Sequence, residues 1–124
     1  MTERPQWNSL RALSHRVLRN GEPLVLTEEV RSLLLKTAQE VAIRDADAAL
    51  ATDEGVLALM HEATRRITEG SNRLTDALHV MWQHQRVGDY DSARKLMRDV
   101  LAVEVVPYYR ELAQGQLEDM DDEA

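Results

Sequence analysis

The chain contains no cysteine and no phenylalanine, and spreads three prolines, five glycines, three tyrosines and two tryptophans over 124 residues. Without cysteine there can be no disulfide, no thiolate metal ligand and no cysteine nucleophile. A reducing, cytoplasmic address is the expectation. No apolar run approaches the roughly 20 residues that a membrane span requires. The opening MTERPQWNSLRAL has no uninterrupted apolar core of the signal-peptide kind. Basic charge of the sort that binds nucleic acid is also lacking, since the formal net charge is −7. That acidity is concentrated at one end. Glu118, Asp119, Asp121, Asp122 and Glu123 lie in the last seven residues, and without them acids and bases are close to balance. Residues 118–124 are therefore expected to form a solvated acidic tail on a single helical domain over 1–117.

What is present favours helices. Ala, Leu, Arg, Glu and Met are abundant, and no segment sustains a period of two. A first helix is expected from Pro5 to Asn20, on the spacing of Trp7, Leu10, Leu13, Val17 and Leu18. Asn20-Gly21 stops it, and Thr27 is placed to cap a second helix over Glu28–Ala51. That second helix carries two apolar stripes, one through Val30, Leu34, Ala38 and Val41, the other through Leu35, Ala42, Ile43, Ala46 and Leu50. A third helix should start at Thr52 or Asp53 and end before Gly70, and a fourth should be capped by Ser71 and carry Leu74, Leu78, Met81 and Trp82. Gly88-Asp89 turns the chain into a fifth helix through Ala93, Met97 and Val100. Pro107 must kink or end that helix. A last segment, Tyr108–Met120, then presents Leu112, Ala113 and Leu117. The expected fold is all-α, a compact bundle of five to six helices. From Leu74 to Pro107 it includes one helical hairpin resembling a tetratricopeptide unit. No second copy is evident, and such arrays need about three repeats to stand alone.

Residues able to carry chemistry do not converge. Asp76, His79 and Gln83 share a helical face but fall short of the three or four protein ligands of a zinc site. His79 and His84 point about 140 degrees apart on a helix of 3.6 residues per turn. There is no HExxH, no phosphate-binding glycine loop and no nucleophile elbow. Accordingly no catalytic, cofactor-binding or metal-binding residue is assigned, no cofactor is expected, and the chain is read as a non-enzyme. Arg4, Arg11, Arg16 and Arg19, against Glu3 alone in the first twenty residues, leave nucleic-acid binding as the weakest alternative. The tyrosines are the more informative feature, because all three lie between Gly88 and Leu112. Tyr108 and Tyr109 point about 100 degrees apart on a helix, so one packs inward and the other is left near the surface. With Tyr90, Arg94 and Arg98 they form the candidate partner-binding set, for a protein partner or a second copy of the chain.

Several of these residues also carry a family resemblance. GSNRL at Gly70–Leu74, GDYDSAR from Gly88 and AVEVVPYYRELAQGQLE from Ala102 resemble the DUSAM domain family, short paralogous proteins expanded in myxobacteria. The resemblance extends over about Trp7–Glu118. It implies one helical domain and supplies no reaction, cofactor or catalytic residue. A protein-interaction domain is the leading functional expectation, and an immunity-type protein that neutralises a toxin partner is the alternative.

Overall fold

The computed structural model describes residues 4–123, except the side chains of Asp122 and Glu123. Helices form α1 (Asn8–Ser14), a π-helical continuation (His15–Arg19), α2 (Glu28–Glu40), α3 (Ala46–Ala49), α4 (Asp53–Arg86), α5 (Tyr90–Val103) and α6 (Pro107–Glu123). The protein is all-α, and no strand occurs among the described residues. None of these helices is long and apolar enough to cross a membrane. Among the described residues, 4–67 cluster as one compact unit and 68–123 as another.

In the first unit the buried side chains are Trp7, Leu10 and Leu13 from the N-terminal segment, Leu34, Ala38 and Val41 from α2 and its end, Leu50, and Val56, Leu59, Met60, Ala63 and Ile67 from α4. Trp7 Nε1 donates to Glu40 Oε1 at 3.2 Å, and Thr64 Oγ1 bonds Ser14 Oγ at 3.2 Å, so polar contacts supplement the apolar face of the first helix. Thr27 caps α2 by accepting from the amide of Val30, as its position before the apolar run predicts. Thr52 does the same for α4, accepting from the amide of Gly55.

The second helix is shorter than its apolar pattern suggests. It ends at Glu40, and residues 41–45 turn the chain before the short α3. The stop is a Schellman motif in which Ala42, at φ +62°, takes the place usually held by glycine. Ile43 N–H bonds the carbonyl of Ala38 and Ala42 N–H bonds that of Gln39. The left-handed conformation costs a non-glycine residue roughly 1–2 kcal/mol, and Arg66 helps to hold it. Arg66 Nη1 donates to the carbonyls of both Val41 and Ala42, at 2.9 and 3.0 Å. Ala42→Gly removes the steric cost and adds unfolded-state entropy, so a net gain of about 0.5 kcal/mol is expected in thermal denaturation. A lowered melting temperature would contradict this account of the turn.

Arg66 is itself positioned by Glu62, whose carboxylate receives Arg66 Nε at 2.8 Å and Arg65 through two nitrogens at 2.9 and 2.6 Å. The bonds from Arg65 and then Arg66 hold the Glu62 carboxyl down at about 2, against an ordinary 4.5. A depressed carboxyl stabilises the fold above its unfolded value and loses that contribution as pH falls through the folded one. The brace at the end of α2 should therefore persist at pH 5 and fail between about pH 4.5 and 2. Wild type and Glu62→Gln should differ in melting temperature near neutrality and converge at pH 2, by a modest amount because the pair is partly hydrated. A gap that stays constant across that range would overturn the assignment.

The expected third and fourth helices are one. α4 runs unbroken through Gly70 and Ser71, the positions read as a stop and a cap. Gly70 is buried, and a Cβ built there would lie 2.5 Å from Tyr109 Cδ2 and 2.9 Å from Glu104 Oε1. This glycine allows a close approach and leaves the helix intact.

In the second unit, Leu74 and Met81 of α4, Ala93, Met97 and Val100 of α5, Val106, and Tyr109, Ala113, Leu117 and Met120 of α6 are buried. Gly88 turns between α4 and α5 at φ +79°, and Asp89 caps α5 by accepting from the amide of Ser92. α5 ends at Val103, and Pro107 opens α6 as a first-turn residue that lacks an unneeded donor. The acidic segment expected to fray continues α6 as helix to Glu123. The carboxylates of Glu118, Asp119 and Asp121 oppose the helix dipole, and Arg94 offsets them. Arg94 Nη2 donates to the carbonyl of Met120 at 3.1 Å, while its Nε lies 3.3 Å from Asp121 Oδ1 as an ion pair out of hydrogen-bond alignment. Residues 1–3 and 124 of the expected domain and tail lie outside the described residues.

Candidate interaction surface

The corner between α5 and α6 is built around one buried carboxylate. Glu104 is 3 % exposed. Its Oε2 accepts from the amides of Val105 and Val106 at 3.0 and 2.9 Å, and its Oε1 accepts from Arg73 Nη1 at 2.8 Å. Two backbone donors that precede α6 are thereby satisfied. Arg110 closes the same corner from the other side, donating to the carbonyls of Leu101 and Glu104 at the end of α5. Tyr109 packs its ring against Gly70. Arg73, Glu104, Arg110 and Gly70 thus form an architectural cluster. The sequence offered one signal for it, an acid three residues before the proline that starts a helix.

The candidate partner residues fall into separate places. Tyr109 is 6 % exposed and faces inward, so its ring is part of the core and is withdrawn from the contact set. Tyr108 is half-buried about 100 degrees round the helix, its ring 5.8 Å from that of Tyr109. Arg94 is also withdrawn, because it is engaged with Asp91, Met120 and Asp121 inside the α5–α6 pair. Tyr90 is half-buried at the start of α5, and Arg98 is exposed. Arg94 meets α6 at Met120, so Tyr108 lies about 18 Å away along that helix at 1.5 Å per residue. Tyr90, Arg94, Arg98, Tyr108 and Tyr109 therefore do not make one patch.

Another patch takes their place. Leu112, expected in the core, is 42 % exposed, while Ala113 and Leu117 are buried. Tyr108, Leu112 and Gly115 recur at intervals of four and three residues, which puts them along one flank of α6, and Val105 stands in the extended lead-in before that helix. Val105 is 48 % exposed. At Gly115 a Cβ would meet nothing within 4 Å, and the backbone φ does not require glycine. Glycine in a helix interior costs about 1 kcal/mol relative to alanine, and no neighbour among the described residues accounts for it. Glu118 and Asp119 border the flank and are exposed. Trp82, also expected in the core, is half exposed on α4.

Two of the histidines, His79 and His84, make local contacts. His79 Nε2 lies 3.4 Å from Gln83 Nε2, and His84 Nδ1 lies 3.7 Å from Asp89 Oδ2. Among the described residues no group of three or more metal-ligating side chains converges. Arg11, Arg16 and Arg19 are exposed along α1 and its π-helical continuation.

These features define an all-α protein whose buried charges brace helix ends. Residues 5–120 match the model of a family described as a protein of unknown function, DUF2379, and the chain belongs to that family. No curated protein and no solved structure matches the chain.

Proposed function

We propose that this chain is a non-catalytic protein-interaction domain whose contact surface is the α6 flank formed by Tyr108, Leu112 and Gly115, with Val105 in the lead-in before it. The observation that carries the reading is the exposure of Val105 and Leu112 beside a helix glycine with open space over it. Side chains at three- and four-residue spacing are the anchors by which one helix seats in another surface. The buried carboxylate of the second unit, Glu104, is taken up by Arg73 and two backbone amides, an architectural use that favours a binding role for the exposed surface. The tetratricopeptide-like look of the α4–α5 turn suits a helical adaptor, and the lack of cysteine suits a reducing, cytoplasmic setting.

The test is affinity capture from native lysate with wild type, Leu112→Glu and Arg98→Glu. Loss of the same partner with Leu112→Glu and its retention with Arg98→Glu is the expected result. Identical capture by all three folded proteins would sink this surface. The immunity-type alternative is favoured by one feature, the acidic border of the flank, which suits a basic partner. Rescue of a growth defect by co-expression, lost with Leu112→Glu, would single it out.

A further inference from the structure

The flank on α6 has an apolar centre and an acidic edge, and together they restrict what can cover it. We infer that its occupant is a basic amphipathic helix of another protein, and not a second copy of this chain; the inference rests on the interaction reading above. Tyr108 and Leu112 supply the apolar anchors, and Gly115 leaves room over the helix backbone. Open space at a helix glycine lets a second helix approach more closely than the usual 8–10 Å between axes. A helix fits this shape better than an extended strand, because no sheet edge occurs among the described residues.

Charge decides between partners. Glu118 and Asp119 are exposed next to the apolar stripe. A two-fold pairing of copies places the same patch against itself. If the helices cross antiparallel at Gly115, Glu118 of one copy faces Leu112 of the other, a carboxylate against an apolar anchor. If they run parallel, Glu118 faces Glu118 and Asp119 faces Asp119. Both arrangements are disfavoured, the first by desolvating a carboxylate and the second by like charges across the contact. A helix with lysines or arginines flanking its apolar stripe turns the same positions into attractive pairs and speeds encounter at low salt.

The test uses the full chain with a photo-reactive benzoylphenylalanine at position 112, irradiated in cells, and a second protein carrying it at position 98. The cross-linked peptide is then sequenced. The expected product joins position 112 to a segment with apolar residues at i, i+3 or i+4, and i+7 and a net positive charge. Its yield should fall at least tenfold with Glu118→Lys combined with Asp119→Lys. It should fall similarly with Gly115→Ala, although that substitution raises the melting temperature of the free chain, which separates lost binding from lost folding. A cross-link to a second copy, to lipid, to nucleic acid, or to an acidic or non-helical segment overturns the inference, as does a yield indifferent to the two charge reversals. A protein partner of the wrong chemistry at position 112 leaves the interaction reading standing. No cross-link at position 112 removes both.

Discussion

Replacing Glu104 with alanine is expected to destabilise the second unit by about 3 kcal/mol, the largest loss from any single polar side chain in this protein. Three donors converge on that carboxylate, two of them backbone amides at the entry to α6 and the third Arg73. Removing it leaves the buried amide of Val106 without an acceptor, at about 1–3 kcal/mol for such a group. Arg73 loses its partner as well, but its side chain is about one-third exposed and can turn to water, so that share is smaller than for a fully buried pair. Glu104→Gln separates the contributions. The amide oxygen can still accept from the two backbone amides while the charge opposite Arg73 is gone, so roughly half the loss is expected. Urea denaturation followed by tryptophan fluorescence in a Trp7→Phe background isolates Trp82, which lies in the affected unit. A loss under about 0.5 kcal/mol for the alanine variant would show that the corner is held by apolar packing alone.

This corner also shows how far a sequence can be read. The heptad-like spacing of Ala93, Met97 and Val100 placed α5 correctly, and Thr27 and Asp89 announced their helix starts, because periodicity and capping are local signals. Gly70 misled for the same reason. A glycine followed by serine has the local look of a stop and a cap, whereas its cause is Tyr109, which is 39 positions along the chain and brought near only by folding. The converse error occurred at Ala42, where a helix ends without a glycine because Arg66 and Glu62 support the left-handed turn from another helix. The two tyrosines were divisible in principle, since one had to face inward. Only the angle at which α6 packs assigned the inward role to Tyr109 and left Leu112 outside. Two of the five candidate contact residues, Tyr109 and Arg94, are therefore engaged inside the fold, which periodicity alone does not reveal.

Gly70→Ala should destabilise the protein by about 1–2 kcal/mol, against the usual sign of that substitution in a helix. In an unhindered helix interior alanine is favoured over glycine by about 1 kcal/mol. Here the added methyl would lie 2.5 and 2.6 Å from two ring atoms of Tyr109, inside any tolerable carbon–carbon contact. The ring cannot yield freely, because Tyr109 is buried and its neighbour Glu104 is fixed by three hydrogen bonds. Overpacking of this kind costs roughly 1–3 kcal/mol, more than the propensity gain returns. Gly115→Ala provides the internal control. It makes the same chemical change in a helix of the same unit with open space above it, and should stabilise by about 0.5–1 kcal/mol. Opposite signs for the two variants in the same urea titration would locate the effect in the contact with Tyr109. A second check is the pair Gly70→Ala with Tyr109→Leu. Shrinking the ring should relieve the clash, so the double variant should be more stable than the sum of the single losses predicts, by about 1 kcal/mol. Additive losses would mean that the methyl and the ring do not meet, and that Gly70 is there for some reason other than close approach.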